Sequence, residues 1–383
     1  MEMIDALQSS ARQREFDADA ITLLEALRRG PRSRAELANT IGWSRNTVAA
    51  KLASLIDAGW VIEINDSQGD RGRPFTRYGL NPVATHIFVA RFDAESVTAA
   101  LTQLNGNVLD WEQRDLPQAQ GPETAIRTLD EMLEAICGRT GISRYQIGAT
   151  IVGVPGPVSE MRRTVPWSKV GVLPADLAAH FGMKVAVEND ANIMALGVQL
   201  EHPEAESVLF LLVETGIGAG LVFGGHLHRG FGGWAGEVGH IPVAAGGNIP
   251  CICGNRGCLA NVASNPVLLR SISTPERPLN TVEDLRAAVI DGDTAAIVAL
   301  REAGRHIGEA ITGLVVGLAP DIISVGGNIA QVGDHVIAGI RETLSTRTPP
   351  AISSHLRIMG APEHNRTGVK GATELALDLL FQL

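Results

Sequence analysis

Three β-rich runs that each end in a cluster of glycines set the tightest limit on how this 383-residue chain can fold. They are "IGATIVGVPGPV" at 147–158, "SVLFLLVETGIGAGLVFGG" at 207–225 and "PDIISVGGNIA" at 320–330. Helical patterns separate them, so the chain beyond residue 80 reads as an α/β body. Glycine at a strand end lets backbone amides approach a phosphate or sugar, but a tight strand-to-helix turn needs glycine too, so these loops alone do not choose a ligand. Between the first two runs, "VAVENDANIMALG" (185–197) reads as a strand running into a helix that opens with Glu188, Asn189 and Asp190. A carboxylate there can take a proton from a sugar hydroxyl or hydrogen-bond to it; on position alone, capping of the helix by Asn189 or Asp190 is the simpler account.

Residues 1–80 read differently. Apolar residues recur at helical spacing in three blocks: Ile21, Leu24 and Leu27; Leu37 and Ile41; then Val48, Leu52, Leu55 and Ile56. Gly30-Pro31 breaks the first helix, Ser33 with Glu36 forms a capping-box signature for the second, Gly42 ends it, and Ser44 can cap the third. Two helices joined by a short turn containing glycine make a helix-turn-helix. The alternating segment after it holds Arg71 and Arg73 at its tip, which predicts a winged form. The expected DNA-facing set is Ser33, Arg34, Ser44, Arg45, Asn46, Thr47, Lys51, Arg71 and Arg73, residue types that meet phosphates and base edges. Charge agrees: the net −10 of the chain lies entirely beyond residue 80, whereas 28–51 holds six basic residues against one acidic. A neutral head with one basic face on an acidic body suits double-stranded DNA as a partner, although a helix-turn-helix can also bind protein.

The segments "GVPGPV", "ENDANIMALG", "ETGIGAGLVFGG", "GGWAGEVGH", "CICGNRGCL" and "ISVGGNIA" together resemble, in order and spacing, the ROK family of sugar kinases and sugar-responsive repressors. The resemblance covers essentially all of 81–383, and its repressor branch carries a DNA-binding head. It implies an actin-like (ribonuclease H-like) two-lobed α/β body behind a winged helix-turn-helix, a sugar cleft between lobes, and homodimers or homotetramers. The expected division is a head at 1–80 and a sensor body at 81–383, with one lobe at about 81–187 plus the C-terminal helix 366–383 and the other at about 188–365. Carried over by motif, Asn189, Asp190, Glu237 and His240 match sugar-contacting positions, Asp190 standing at the kinase branch's general base. The resemblance also makes His240, Cys251, Cys253 and Cys258 zinc ligands.

The cysteine pattern supports that metal on its own terms. "HIPVAAGGNIPCICGNRGCLA" (240–260) gathers three of the chain's four cysteines. One imidazole and three thiolates suit tetrahedral zinc, and four protein ligands leave no open position, so the site reads as structural, one ion per chain. A disulfide would leave one of the three over, and His226 or His228 would substitute only if His240 were turned away.

Two departures from the kinase pattern bear on activity. The segment "VARFDAES" places Arg91 where kinases of the family hold a magnesium-binding aspartate, with Asp93 and Ala94 where glycines belong, and Glu214 stands at a glycine position of the second phosphate loop. The expectation is therefore a sugar-responsive regulator of carbohydrate genes, a repressor rather than an enzyme. The alternatives are a sugar kinase with a DNA-binding head, or a regulator whose sugar site has degenerated; the latter is raised by Ala260, where the family's zinc loop continues with a sugar-contacting glutamate. The longest smooth apolar run, "AITGLVVGLAP" (310–320), is short of the roughly 20 residues a span requires, and the N-terminus has no apolar core behind a basic start, so the chain is expected in the cytoplasm with no membrane partner.

Overall fold

The computed structural model describes residues 16–66, 75–93, 96–116, 121–158, 174–361 and 364–381. Its head comprises α1 (Ala18–Arg28), α2 (Arg34–Ile41), α3 (Arg45–Asp57), and the antiparallel pair β1 (Val61–Asp66) and β2 (Phe75–Leu80). Local chemistry sets each start and stop. Ser33 and Glu36 close a reciprocal capping box on α2, Gly42 ends that helix in the left-handed region at φ 79°, and Ser44 caps α3 by accepting from Thr47 N. Leu24, Leu27, Leu37, Val48, Leu52 and Leu55 are buried as the periodicity predicts. Leu23, not Ile21, completes the first stripe, and Trp60 and Tyr78 close the core from the hairpin side.

The body contains two five-stranded sheets of the same plan. The first runs β5 (Val108–Asp115), β4 (Ser96–Gln103), β3 (His86–Phe92), β6 (Ile147–Val154), β7 (Lys184–Asn189). The second runs β10 (His226–Leu227), β9 (Ile217–Phe223), β8 (Ser207–Val213), β11 (Ile322–Gly326), β12 (Arg357–Gly360). In each, the central strand, β3 or β8, is the first in chain order and pairs antiparallel with the second in chain order and parallel with the fourth. Helix α4 (Gly121–Thr140) packs its apolar stripe on the outer face of the first sheet, with α5 (Pro174–Phe181) beside it. On the second lobe lie α7 (Ala260–Ala263), α8 (Asn265–Ile272), α9 (Val282–Ile290), the long α10 (Thr294–Leu318), α11 (His335–Arg347) and α12 (Pro350–Ser353).

Two helices join these parts. Helix α6 (Asp190–Glu201) is buried along ten of its twelve residues and packs on β8, β9 and the C-terminal α13 (His364–Phe381). The α6–α13 crossing is so close that a Cβ at Gly197 would strike Thr367 O and one at Gly371 would strike Ile193 O. The far end of α13 holds the head. Arg28, only 7% exposed, pairs with Glu374 at 3.1 Å and Asp378 at 2.6 Å, and the rings of Phe16, Trp60 and Phe381 meet edge to face. One apolar cluster consequently runs from the head through α13 and α6 to the inner faces of both sheets. Among the described residues no helix is long and apolar enough to cross a membrane.

Candidate functional site between the lobes and at the cysteine loop

The loop after the single helical turn Val238–His240 folds back on itself through Val243 N to Gly257 O, Gly257 N to Ile249 O and Leu259 N to Ile241 O, while Cys251 N donates to Asn255 O. These bonds bring His240, Cys251, Cys253 and Cys258 together, one ligand atom from each lying within 4.8 Å of all the others. His240 Nδ1 is 3.4 Å from Cys251 Sγ, and the Cys253 and Cys258 sulfurs are 3.7 Å apart. Tetrahedral coordination with metal–sulfur bonds of about 2.3 Å calls for sulfur–sulfur edges of about 3.8 Å, so the donors fit a metal ion. Burial, together with the neighbouring Cys251 and Cys253, pushes the Cys258 thiol up to about 12. Thiols this close resist joint ionisation, and a divalent cation is what lets all three become thiolates. His226 and His228 are outside the cluster.

His240 turns its other nitrogen toward Glu237, whose carboxylate is 3.8 Å from Nε2. Burial alone pushes Glu237 up to about 7 and holds His240 below the ordinary imidazole range. The chain carrying them lies against β9, because a Cβ at Gly236 would strike Ala219 O and one at Gly239 would strike Ile217 O. The start of α6 reaches the same strand, with the backbone of Ala191 against Gly220. The start of α6, with Asn189 and Asp190, and the segment carrying Glu237 and His240 thus both pack close to β9.

The α6 start is heavily committed. Asn189 accepts from Asn192 N at 3.1 Å and donates to Gly156 O at 2.9 Å, so its amide caps the helix and ties down the 155–158 loop. Glu188 accepts from Asn192 Nδ2 and is bridged at 2.7 Å by Arg229, a residue from the second lobe that the sequence did not single out. Asp190 accepts from Ala191 N. Burial raises its carboxyl to about 7, with Arg91 opposing and Glu214 reinforcing the rise. Arg91 on β3 and Glu214 at the β8–β9 turn are themselves an ion pair, 3.5 Å apart, joining the two lobes beside Asp190. Sequence reasoning weighed each of these residues separately and missed that they meet.

A raised carboxyl has a definite consequence. Between about pH 4 and 7 folded Asp190 keeps a proton that the unfolded chain has released, so its contribution is full below about 4 and lost as pH rises through about 7. Asp190→Asn is expected to gain stability over the unaltered chain near pH 8 relative to pH 5, read from urea midpoints.

On the head, Arg34, Ser44, Arg45, Asn46 and Thr47 are exposed. Arg34 lies over the Tyr78 ring at 5.2 Å. Lys51 is half-buried and pairs with Asp17 and Asp19, and the Ser44 hydroxyl is engaged at the α3 cap. Ser33 departs from the expected DNA-facing set: it is 5% exposed, and both its hydroxyl and its N–H are taken by the capping box, so it serves the helix start. Arg71, Arg73 and Ala94 lie outside the described residues. Ala260 opens α7, and Asn261 beside it donates to Pro250 O, bracing the cysteine loop.

A model of the ROK family matches residues 92–379. The chain belongs to the ROK family. A second model, the IclR helix-turn-helix domain, matches residues 20–62 at the head of this ROK protein. The xylose repressor of Bacillus spizizenii is 25% identical over 365 residues, covering 94% of each chain. The glucokinase of Halalkalibacterium halodurans is 30% identical over 299 residues, 72% of this chain and 90% of its own. Among solved structures, a ROK family transcriptional regulator described as a homolog of the E. coli MLC protein superposes with a TM-score of 0.79 at 22% identity, covering 95% of this chain and 97% of its own. A Streptomyces griseus ROK glucokinase with glucose and AMPPNP gives 0.64 at 24%, covering 76% and 98%. The repressor alignment includes the head, whereas the glucokinase alignments span the body's share of the chain. The fold is the actin-like ATPase body of ROK sugar kinases behind a helix-turn-helix, as the motifs implied.

Proposed function

We propose that this ROK protein is a sugar-responsive, DNA-binding transcriptional regulator, a repressor of carbohydrate-metabolism genes working in the cytoplasm as a homodimer or homotetramer. The observation that carries this reading is the continuous packing of a helix-turn-helix head onto α13, which joins a DNA-reading surface to a kinase-like cleft through one apolar cluster. Asp190, Glu237 and His240 would meet the sugar's hydroxyls, with Asn189 holding the helix start that presents Asp190. Zinc on His240, Cys251, Cys253 and Cys258 would be structural and would fix the Glu237 wall, since a carboxylate facing a metal-bound imidazole orients it. Lobe closure on the sugar would move α6 and, through its tight glycine crossing, α13 and the head.

Selection of bound DNA from a genomic library tests this reading, followed by mobility shifts with and without a panel of sugars. At the selected site Arg45→Ala is expected to weaken binding about tenfold or more, the cost of one good base or phosphate contact. Unchanged retention, or no selected site at all, would remove DNA from the assignment.

Retention of Asp190 and the glucokinase relatives favour sugar phosphorylation as a second reading. Against it stands the Arg91–Glu214 pair: by the family resemblance it would put a cation where a kinase needs a magnesium ligand and a carboxylate beside the polyphosphate path. Sugar-dependent ADP release abolished by Asp190→Asn would establish the kinase. A ligand-independent regulator, the reading Ala260 raises, predicts no sugar effect on the mobility shift.

A further inference from the structure

The described residues contain a pocket of about 670 Å³ that is separate from the Glu237–His240 wall: it is lined by β3, β4, β5 and the turn between the last two, with α6 and the first turns of α13, and by nothing from the second sheet or the cysteine loop. Its size is that of a small-molecule site, and so is its make-up of mostly apolar walls with a few polar groups. Val89, Ala100, Ile193, Met194 and Val369 provide the walls. Trp111, 55% exposed on β5, lines the pocket with its indole. Asn105 and Asn107 stand at the turn, and Asp190 reaches the inner end. Arg91, Arg366 and Lys370 give it three cations against that one carboxyl.

An indole face, two amides and a carboxyl make up a donor and acceptor set suited to a hydroxylated ring, whose C–H face stacks on an aromatic while its hydroxyls meet amide and carboxyl groups. The cations change the class of ligand. Arg91 is held by Glu214, and Lys370 by Glu201 at 2.8 Å, so Arg366, exposed at the rim, is the guanidinium best placed to meet an incoming anion. A guanidinium at the rim of a pocket favours a phosphate or carboxylate that pairs with it in a fork. Burial raises the Asp190 carboxyl to about 7, which lessens its negative charge near neutral pH and so its repulsion of such a ligand.

We propose that this first-lobe pocket binds an acidic sugar, a ring bearing a phosphate or a carboxylate, with the ring on Trp111 and the acid group at Arg366. The assignment goes beyond the cleft reading, because the pocket shares only Asp190 with the sugar cleft and none of its Glu237–His240 wall. Titration calorimetry on the full-length, zinc-loaded protein tests it with glucose 6-phosphate, glucuronate, glucose and inorganic phosphate.

At least one of the two acids is expected to bind about tenfold or more tightly than glucose and than inorganic phosphate. Trp111→Ala and Arg366→Gln, both at exposed positions, are each expected to weaken that acid about tenfold, while Glu237→Gln leaves it unchanged. Phosphate-only binding is marked by glucose 6-phosphate and not glucuronate, and general acid binding by both.

Several results overturn the proposal. Loss of acid binding in Glu237→Gln with none in the Trp111 and Arg366 variants would put the ligand in the cleft. Inorganic phosphate binding as tightly as the sugar phosphate would leave an anion site with no role for the ring. Glucose binding that depends on Glu237, with neither acid binding, would remove the pocket and leave the cleft reading standing. Absence of binding by any sugar would remove both.

Discussion

Arg91→Ala is expected to cost about 3–5 kcal/mol of unfolding free energy, the range for removing one partner of a buried ion pair. The two side chains are 19% and 15% exposed, so little solvent screens the charge left behind. Burial already raises the Glu214 carboxyl, and Arg91 is the main influence holding it down. Without the guanidinium, Glu214 must take up a proton or remain a buried charge that has lost its Arg91 counterion. Its folded pKa then rises further, and the stability tied to that proton is lost as pH climbs through the new value. The penalty should therefore be larger near pH 8 than near pH 5, the opposite of a simple loss of packing, which would be independent of pH.

The double variant Arg91→Leu with Glu214→Leu should recover most of the loss, since two apolar groups of similar volume remove both charges together. Urea unfolding of the unaltered chain, Arg91→Leu, Glu214→Leu and the double variant forms a thermodynamic cycle. A single-variant cost below about 1 kcal/mol at both pH values would mean that the pair behaves as a solvent-screened surface bridge. Because Arg91 comes from the first sheet and Glu214 from the second, the pair also sets how the lobes meet beside Asp190. Sugar affinity should fall in the single variants and return in a charge-swapped pair.

Chelation of the proposed zinc is the second large expected effect. If free zinc stands about a thousandfold above its Kd, its binding contributes about 4 kcal/mol to the folded state, and a strong chelator should lower stability by that amount. Cys258 is fully buried against the loop that carries Ile241 and Leu259, so Cys258→Ser should reproduce the chelator effect. Cys253→Ser, at a half-buried position, should bind less zinc with a smaller change in the metal-free protein. Elemental analysis gives the zinc content and thermal scans the stability. Native protein without zinc and with unchanged melting would remove the metal from the account. The loss should reach the cleft as well, because His240 orients Glu237, so chelated protein should bind sugar more weakly even at temperatures where it remains folded.

Short-range chemistry made much of this molecule legible from its residues alone. The capping box at Ser33 and Glu36, the left-handed stop at Gly42 and the Ser44 cap are each decided within four residues, and each forms as read. The cysteine cluster is readable for the same reason: Cys251, Cys253 and Cys258 sit in one loop, and the fold gathers them with His240 into a set that could hold a metal ion. Glycine loops at strand ends predicted the α/β class, though periodicity could not say that the two sheets repeat one strand order, because sheet order depends on pairings between distant segments.

Composition and motif determined the head, the gathering of cysteines in one loop and the family's fold, since these depend on neighbours along the chain or on motifs in a fixed order. Tertiary structure alone decided that Arg91 meets Glu214 and that Arg229 clamps Glu188. It also decided that α6 and α13 cross at bare glycines and that Trp111 and Arg366 face one pocket. Each of these joins segments far apart in sequence. A charge or a glycine carries no local sign of what it will touch until burial removes the water that would otherwise be its partner.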